Sequence, residues 1–379
     1  MNRKTVSILV TASFLVSACN DSDNDSGDSV AFDAGTVLDR AANDVITTSY
    51  ADLDSEAGDL VTKVKALETD GATATEVTEA REQWKATREE WEATEAYLFG
   101  PVDTGGHDPA MDSWPLDKDN ITYSDNTDFD SKEDNLKGFH AVEYLLWNGL
   151  VTDGKETAAE ARDRLNGSSN QVTYLVNAAK DIESHTSDLH AAWQDGFAET
   201  LRTAGDSGNS TYGSQSAGVQ QLIEGVEIIA NEVASGKIGG PFGTGTVEEV
   251  ESRFSGNSIN DFTNNMRGIR NVWLGTLDGS ENAHGLKAFV ETHDAELTTE
   301  VEEAINAAIA AVEAIGDPND DGTHELTFAE AVTNQGDTPS GASESNEDRI
   351  QAAVDAIQTL DSLMKNEVSA LLDDTDFAQ

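Results

Sequence analysis

The chain has 379 residues, with 72 Asp and Glu against 23 Lys and Arg, and a formal net charge of −49. Such an excess repels a phosphate backbone and argues against nucleic acid as a partner. A single cysteine excludes an intrachain disulfide, and only 6 prolines leave room for long helices.

Arg3 and Lys4 precede an apolar run, Val6 to Val16, and then Ser17, Ala18 and Cys19. This reads as a secretory signal, too short to span a bilayer. The small residues before Cys19 look like a bacterial lipobox, with cleavage before Cys19 and lipid on its thiol. Asn20 rather than Asp follows, so the inner-membrane retention signal is missing and the outer membrane is favoured. Residues 20–30 are polar and acidic, with too little apolar surface to order themselves, and read as a tether. The expected organisation is therefore a signal at 1–18, a lipidated tether at 19–30 and a folded body after it.

Helical periodicity dominates that body, and alternating strand patterns are absent. The pattern predicts helices over 33–50, 52–69, 74–98, 131–148, 155–166, 170–203, 212–235, 257–275, 283–315 and 345–371. In the third, Val77, Trp84, Trp91 and Leu98 recur every seven residues, with Ala80 and Thr87 between them, as a core-facing stripe. It stops at Gly100-Pro101. Three segments break the pattern: 99–130, 236–256 and 316–344. The acids fall mostly on the polar faces of the helices. This favours charge for solubility in salty surroundings over cation collection at the cell surface.

A body of about 350 residues exceeds the usual size of one core, so two domains are the default. The segment from Glu95 to Asp103 parallels that from Arg270 to Asp278. Each is an aromatic-aliphatic helix end, then Gly, any residue, an aliphatic residue and Asp. The fold class expected is all-α, as two helical bundles related by duplication, 31–205 and 206–379.

The segment Gly138-Phe139-His140-Ala141-Val142-Glu143-Tyr144-Leu145-Leu146-Trp147 carries the chemistry. His140 and Glu143 are three apart in an apolar helical run, so both lie on one helix face. Such a pair can share a metal, or one can orient the other. With three further segments it resembles the imelysin family of bacterial envelope proteins. These are the helix end from Trp91 to Asp103, closing in Phe-Gly-Pro-Val-Asp, the turn from Asp112 to Asp117 with its Trp-Pro-Leu-Asp, and the segment from Val250 to Phe262. Their order and spacing agree with the imelysin type of iron-regulated envelope proteins. The resemblance implies two duplicated helical bundles with a site between them, centred on His140 and Glu143. It also implies an association with iron uptake, in a family catalogued with metallopeptidases.

A catalytic zinc site takes three protein ligands, an open position and a separate base. Neither H-E-x-x-H nor H-x-x-E-H is present. His140 and Glu143 supply two ligands for iron or zinc, and Glu95, Asp103 and Asp117 are candidates for a third. If the protein is a peptidase, His140 and Glu143 are also its catalytic pair. Trp114, Ser255, Asn257, Asp261 and Arg267 are candidates for lining the interdomain site. Arg267 and Arg270 are expected in structural pairing, and His107 as a solvated loop residue. Asp317, Asn319, Asp321 and Gly322 resemble the start of a calcium loop, but Phe328 stands where a bidentate Glu is required, so calcium is not expected. The expected ligand is a metal ion or metal chelate, and the expected place is the bacterial envelope. Contact with the membrane runs through the lipid on Cys19, with envelope uptake proteins as partners. Adhesion or scaffolding, with His140 structural, is the remaining alternative.

Overall fold

Apolar positions at helical spacing become helices along the whole body of the computed structural model. It describes residues 31–68, 71–123, 129, 131–149, 156–280, 284–317 and 326–378. The signal, the tether with Cys19 and most of the calcium-like loop lie outside the described residues. Eight principal helices are α1 (Thr48–Ala66), α2 (Ala74–Thr94), α3 (Gly138–Trp147), α4 (Ser169–Ala192), α5 (Gln215–Asn231), α6 (Ser258–Leu274), α7 (Ala295–Gly316) and α8 (Asn346–Leu363). No strand occurs among the described residues. A bridge from Phe32 to Phe377 brings the two ends of the body together.

Helix α2 starts with a capping box. The Glu76 amide donates to Thr73 Oγ1 at 3.2 Å, and the Thr73 amide donates to Glu76 Oε2 at 2.7 Å. Val77, Ala80, Trp84, Thr87 and Trp91 are buried, as their spacing predicts, while Leu98 lies beyond the helix and is only partly buried. α2 packs on α1, α3 and α6; α4 packs on α1 and α3; α7 packs on α6 and α8. Helix α6 approaches α2 closely at Gly268, where a Cβ would come 2.3 Å from the Ala93 carbonyl oxygen. Only glycine fits there.

α6 is polar in sequence yet buried at most positions, including Asp261, Asn264, Asn265 and Asn271. A helix buried nearly all round is normally apolar. This one therefore borders a polar interior. The apolar core crosses the expected 205/206 boundary without a gap, since Leu201 and Ala204 share one cluster with Val219 and Leu222. Residues Ala31–Gln379 form one compact unit.

Several boundaries differ from expectation. The break placed near residue 51 is absent: Gly35–Asp39 and a π turn, Arg40–Thr47, lead straight into α1. Tyr50 and Leu53 keep the buried stripe continuous there. The stretch 283–315 divides into Leu286–His293 and α7, because the Asp294 side chain accepts from the Glu296 and Leu297 amides at 2.9 Å and starts a new helix. Segment 99–130 holds two short helices, Pro101–Gly105 and His107–Asp112, while 236–256 holds Gly239–Thr244. No helix among the described residues is long and apolar enough to cross a membrane.

Candidate metal centre

Arg88 and Glu92 on α2, and Glu95 in the 3-10 turn that directly follows it, fall at i, i+4 and i+7, on the face that carries Trp84 and Trp91. All three are buried, so each needs a partner of opposite charge or a hydrogen bond. The Arg88 guanidinium is fully enclosed. It pairs with Glu92 and Asp112, with Glu251 at 2.6 Å and with Asp261 at 3.7 Å. A second cation arrives from the π turn Glu232–Ile238 that follows α5. Lys237 Nζ lies 2.6 Å from Glu95, 3.1 Å from Glu92 and 3.3 Å from Glu251. From α6, Asn265 Nδ2 donates to Glu92 Oε2 and Glu95 Oε2, each at 2.7 Å.

His140 enters from α3. Gly138 opens that helix at φ 71°, and a Cβ there would lie 2.1 Å from the Met111 carbonyl oxygen. The glycine of the motif thus lets α3 press against the His107–Asp112 helix and sets His140 beside Asp112. His140 Nδ1 lies 3.1 Å from Glu143 Oε2. The other Glu143 oxygen accepts from the Phe254 amide at 3.0 Å, the Ser255 amide at 2.7 Å and Ser255 Oγ at 2.8 Å. Glu143 therefore stands behind the imidazole and ties it to the second half of the chain. A proton held on Nδ1 leaves Nε2 as the ligand atom. Nε2 makes no aligned hydrogen bond, though Asp112 Oδ1 is 3.2 Å away and Glu251 Oε1 3.9 Å. Trp91 Nε1 donates to Asp112 Oδ2 at 2.7 Å and steadies that carboxylate.

Trp114 covers the imidazole, with ring centroids 4.4 Å apart. The Arg253 guanidinium lies over the Trp114 ring at 4.7 Å, and Trp114 Nε1 donates to the Glu249 carbonyl at 3.3 Å. Beside Trp114 a cleft of about 260 Å³ reaches in to Asp112, Glu95, Lys237 and Glu251.

The centre holds more carboxyl groups than cations. Glu92, Glu95, Asp112, Glu143, Glu251 and Asp261 are all buried or nearly so, among Arg88, Lys237 and His140. The titration shifts follow. Burial and the nearby Glu92 charge push Glu95 well up, and burial raises Glu251. Burial lifts Asp261 to about 8 against the pull of Arg88. Burial would raise Asp112 too, but Arg88 and His140 hold it below the usual carboxylate range. Burial disfavours a charged His140, yet the adjacent Asp112 and Glu143 carboxylates prevail and raise it to about 9.

Asp112, His140 and Glu251 offer ligand atoms that all lie within 4.8 Å of one another, as do Glu92, Glu95 and Asp112. Of the residues singled out in the sequence, His140, Glu143, Trp114 and Ser255 meet here. Glu95 lies in the second group, and Asn257 Nδ2 donates to Asp261 at 2.7 Å. Asp103 is exposed and does not join either group. Asp117 is engaged with Asn120 Nδ2 at 2.7 Å, also outside both. Arg267 is half-exposed and sits 3.3 Å from Glu313 and 3.8 Å from Glu89, in structural pairing away from the imidazole. His107 is not a solvated loop residue but contacts His185.

Arg88, Glu92, Asp112, Lys237 and Glu251 were not anticipated as site residues. The signal for two of them was present. Arg88 and Glu92 lie on a tryptophan stripe, where a charge must be buried.

The imelysin family model matches residues 46–364, a span that includes every residue of this centre. The chain belongs to the imelysin family. It is 29% identical over 279 residues to iron-regulated protein A of Synechococcus elongatus, which covers 72% of this chain and 74% of that protein. The fold is similar to the crystal structure of an iron-regulated protein A precursor from Parabacteroides distasonis. The TM-score is 0.73 at 24% identity, covering 89% of this chain and 94% of that one. An imelysin-like protein from Psychrobacter arcticum 273-4 superposes at TM-score 0.62 and 14% identity, covering 88% and 93%. At these identities the two structures speak to fold alone.

Proposed function

We propose that this imelysin binds a metal ion, iron foremost, as cargo, through His140 Nε2, Asp112 and Glu251. One observation carries the reading: a buried imidazole nitrogen without an aligned partner, 3.2 and 3.9 Å from two carboxylates. One nitrogen and several oxygens suit iron as well as zinc. The name of the cyanobacterial relative supports iron. Binding needs Nε2 free of its proton, and Arg88 must yield part of its hold on Asp112 and Glu251. The surplus of carboxyl groups supports room for that extra positive charge. A metal chelate entering by the cleft beside Trp114 would present its ion to the same atoms.

Peptide hydrolysis is not favoured. Metal-assisted hydrolysis needs a base free to take a proton from water. The Glu143 oxygens are committed to His140, Phe254 and Ser255.

The signal-like N-terminus and Cys19 support a lipid-anchored protein of the outer membrane that hands metal to envelope uptake proteins. The site draws on α2 and α3 from the first half of the chain and α6 from the second.

Calorimetry of the metal-free protein with ferrous iron and with zinc tests the site. Binding that collapses in His140→Ala and in Asp112→Asn is expected. Equal, negligible affinity in all three proteins would sink the proposal. Radiolabelled palmitate that enters the wild type and not Cys19→Ser tests the anchor separately.

A further inference from the structure

We propose a second metal site, built from His107 and His185 and suited to a tetragonal divalent ion such as copper(II) or nickel(II). His107 starts the short helix His107–Asp112, and His185 projects from α4. Their Nδ1 atoms are 2.9 Å apart, and the rings meet edge to face with centroids 5.2 Å apart.

Both rings are turned so that Nδ1 is the atom on offer. A Cβ on Gly105 would lie 2.3 Å from His107 Nε2, so that edge of the ring rests on the glycine. Behind His185, Asp181 Oδ1 lies 4.0 Å from Nε2, and Lys137 Nζ lies 3.6 Å from Asp181 Oδ2. A carboxylate behind one nitrogen favours the proton there and leaves the other nitrogen as ligand.

The separation is that of an N–H···N hydrogen bond, and it also leaves the pair close to the spacing of two ligands at a right angle. Two nitrogens each about 2.0 Å from one ion stand about 3.3 Å apart at a tetrahedral angle, but about 2.8 Å apart at a right angle. The observed 2.9 Å matches the right angle. Without an ion, one Nδ1–H donates to the other Nδ1. With an ion, that proton leaves the gap, and each neutral ring carries its proton on Nε2. Both rings are only partly buried, so water can complete the coordination. The site is independent of the His140 reading, although the helix that His107 begins ends at Asp112 of the first centre. An ion here would brace that helix against α4.

The test uses the full chain carrying His140→Ala, which removes the first centre. Copper(II) is added, and electron paramagnetic resonance is read alongside a calorimetric titration. A tetragonal spectrum with coupling to two nitrogens is expected, with one copper bound per chain. His107→Gln and, separately, His185→Gln should each abolish the two-nitrogen pattern. Each should also weaken binding by about tenfold or more, with helix content by circular dichroism unchanged. A two-nitrogen signal missing from the His140→Ala protein, or surviving both Gln variants, overturns the proposal. Loss of iron binding in His140→Ala alone bears on the first centre and leaves this one standing.

Discussion

At the scale of single residues, the imelysin motif separates into three tasks. Gly138 makes the approach, His140 presents Nε2, and Glu143 holds the ring from behind. Gly138→Ala should therefore cost stability and loosen the placing of His140 beside Asp112. Its φ of 71° and the 2.1 Å approach to the Met111 carbonyl both exclude a Cβ. A loss of about 2–4 kcal/mol is expected, seen as a lower urea midpoint. An unchanged midpoint would show that the helix start relaxes at no cost. Glu143→Gln keeps the shape but removes the charge that three donors converge on. Metal affinity should fall about 10–100-fold, the usual effect of losing an orienting partner, while Asp112→Asn should lose binding outright. Titration calorimetry ranks the two, and equal losses would make Glu143 a ligand. His140 and Glu143 were legible in the sequence because their spacing is local. Asp112 was not chosen over Asp117, since only folding of the 107–112 helix shows which acid turns inward. Glu251 falls inside the resembling 250–262 segment, but neither it nor Lys237 is close to His140 in sequence, and spacing does not show that they turn towards it.

At the scale of elements, the helices were legible wherever an apolar stripe repeats, as in α2 and α7. Their joins were not. The π turns at Arg40–Thr47 and Glu232–Ile238 leave the apolar spacing nearly undisturbed, so periodicity passes over them. The second of these presents Lys237 to the centre. The α1–α2 pair also carries a liability. Glu90 on α2 is pushed up to about 7, first by burial and then by Asp52, Glu89 and Glu56. A carboxyl raised in the folded state stabilises it below the unfolded value near 4.5, and that contribution is lost as pH rises towards 7. Glu90→Gln should accordingly stabilise the protein above pH 7 and change little near pH 4. About 1 kcal/mol is expected, since the side chain keeps some contact with water. Urea unfolding of both proteins at pH 5 and pH 8 measures it. A gap that fails to widen with pH would show that neither burial nor the neighbouring acids disfavour the charged Glu90.

At the scale of the whole molecule, charge sets the terms. With 72 acids against 23 bases, pairing every base one to one still leaves 49 carboxylates without a partner. Pairs at the surface, such as Arg202 with Glu199 at 2.5 Å and Lys118 with Asp119 at 2.7 Å, are exposed and each contributes little. The folded body brings the surplus closer together than the unfolded chain does, so repulsion opposes folding. Salt shortens the reach of that repulsion, from a Debye length of about 10 Å at 0.1 M to about 3 Å at 1 M. The buried ring around Arg88 and Lys237 is shielded from dissolved ions and keeps its attraction. Salt thus weakens the repulsion without weakening the buried attraction, so sodium chloride should stabilise this protein. Raising it from 0.05 M to 1 M at pH 7.5, with metals chelated, should lift Tm by several degrees, about 3 °C or more. A thermal scan followed by circular dichroism reads the shift. A Tm that falls with salt would mean that surface ion pairs outweigh the repulsion, and the acidic surface would then need a reason other than solubility in salty surroundings.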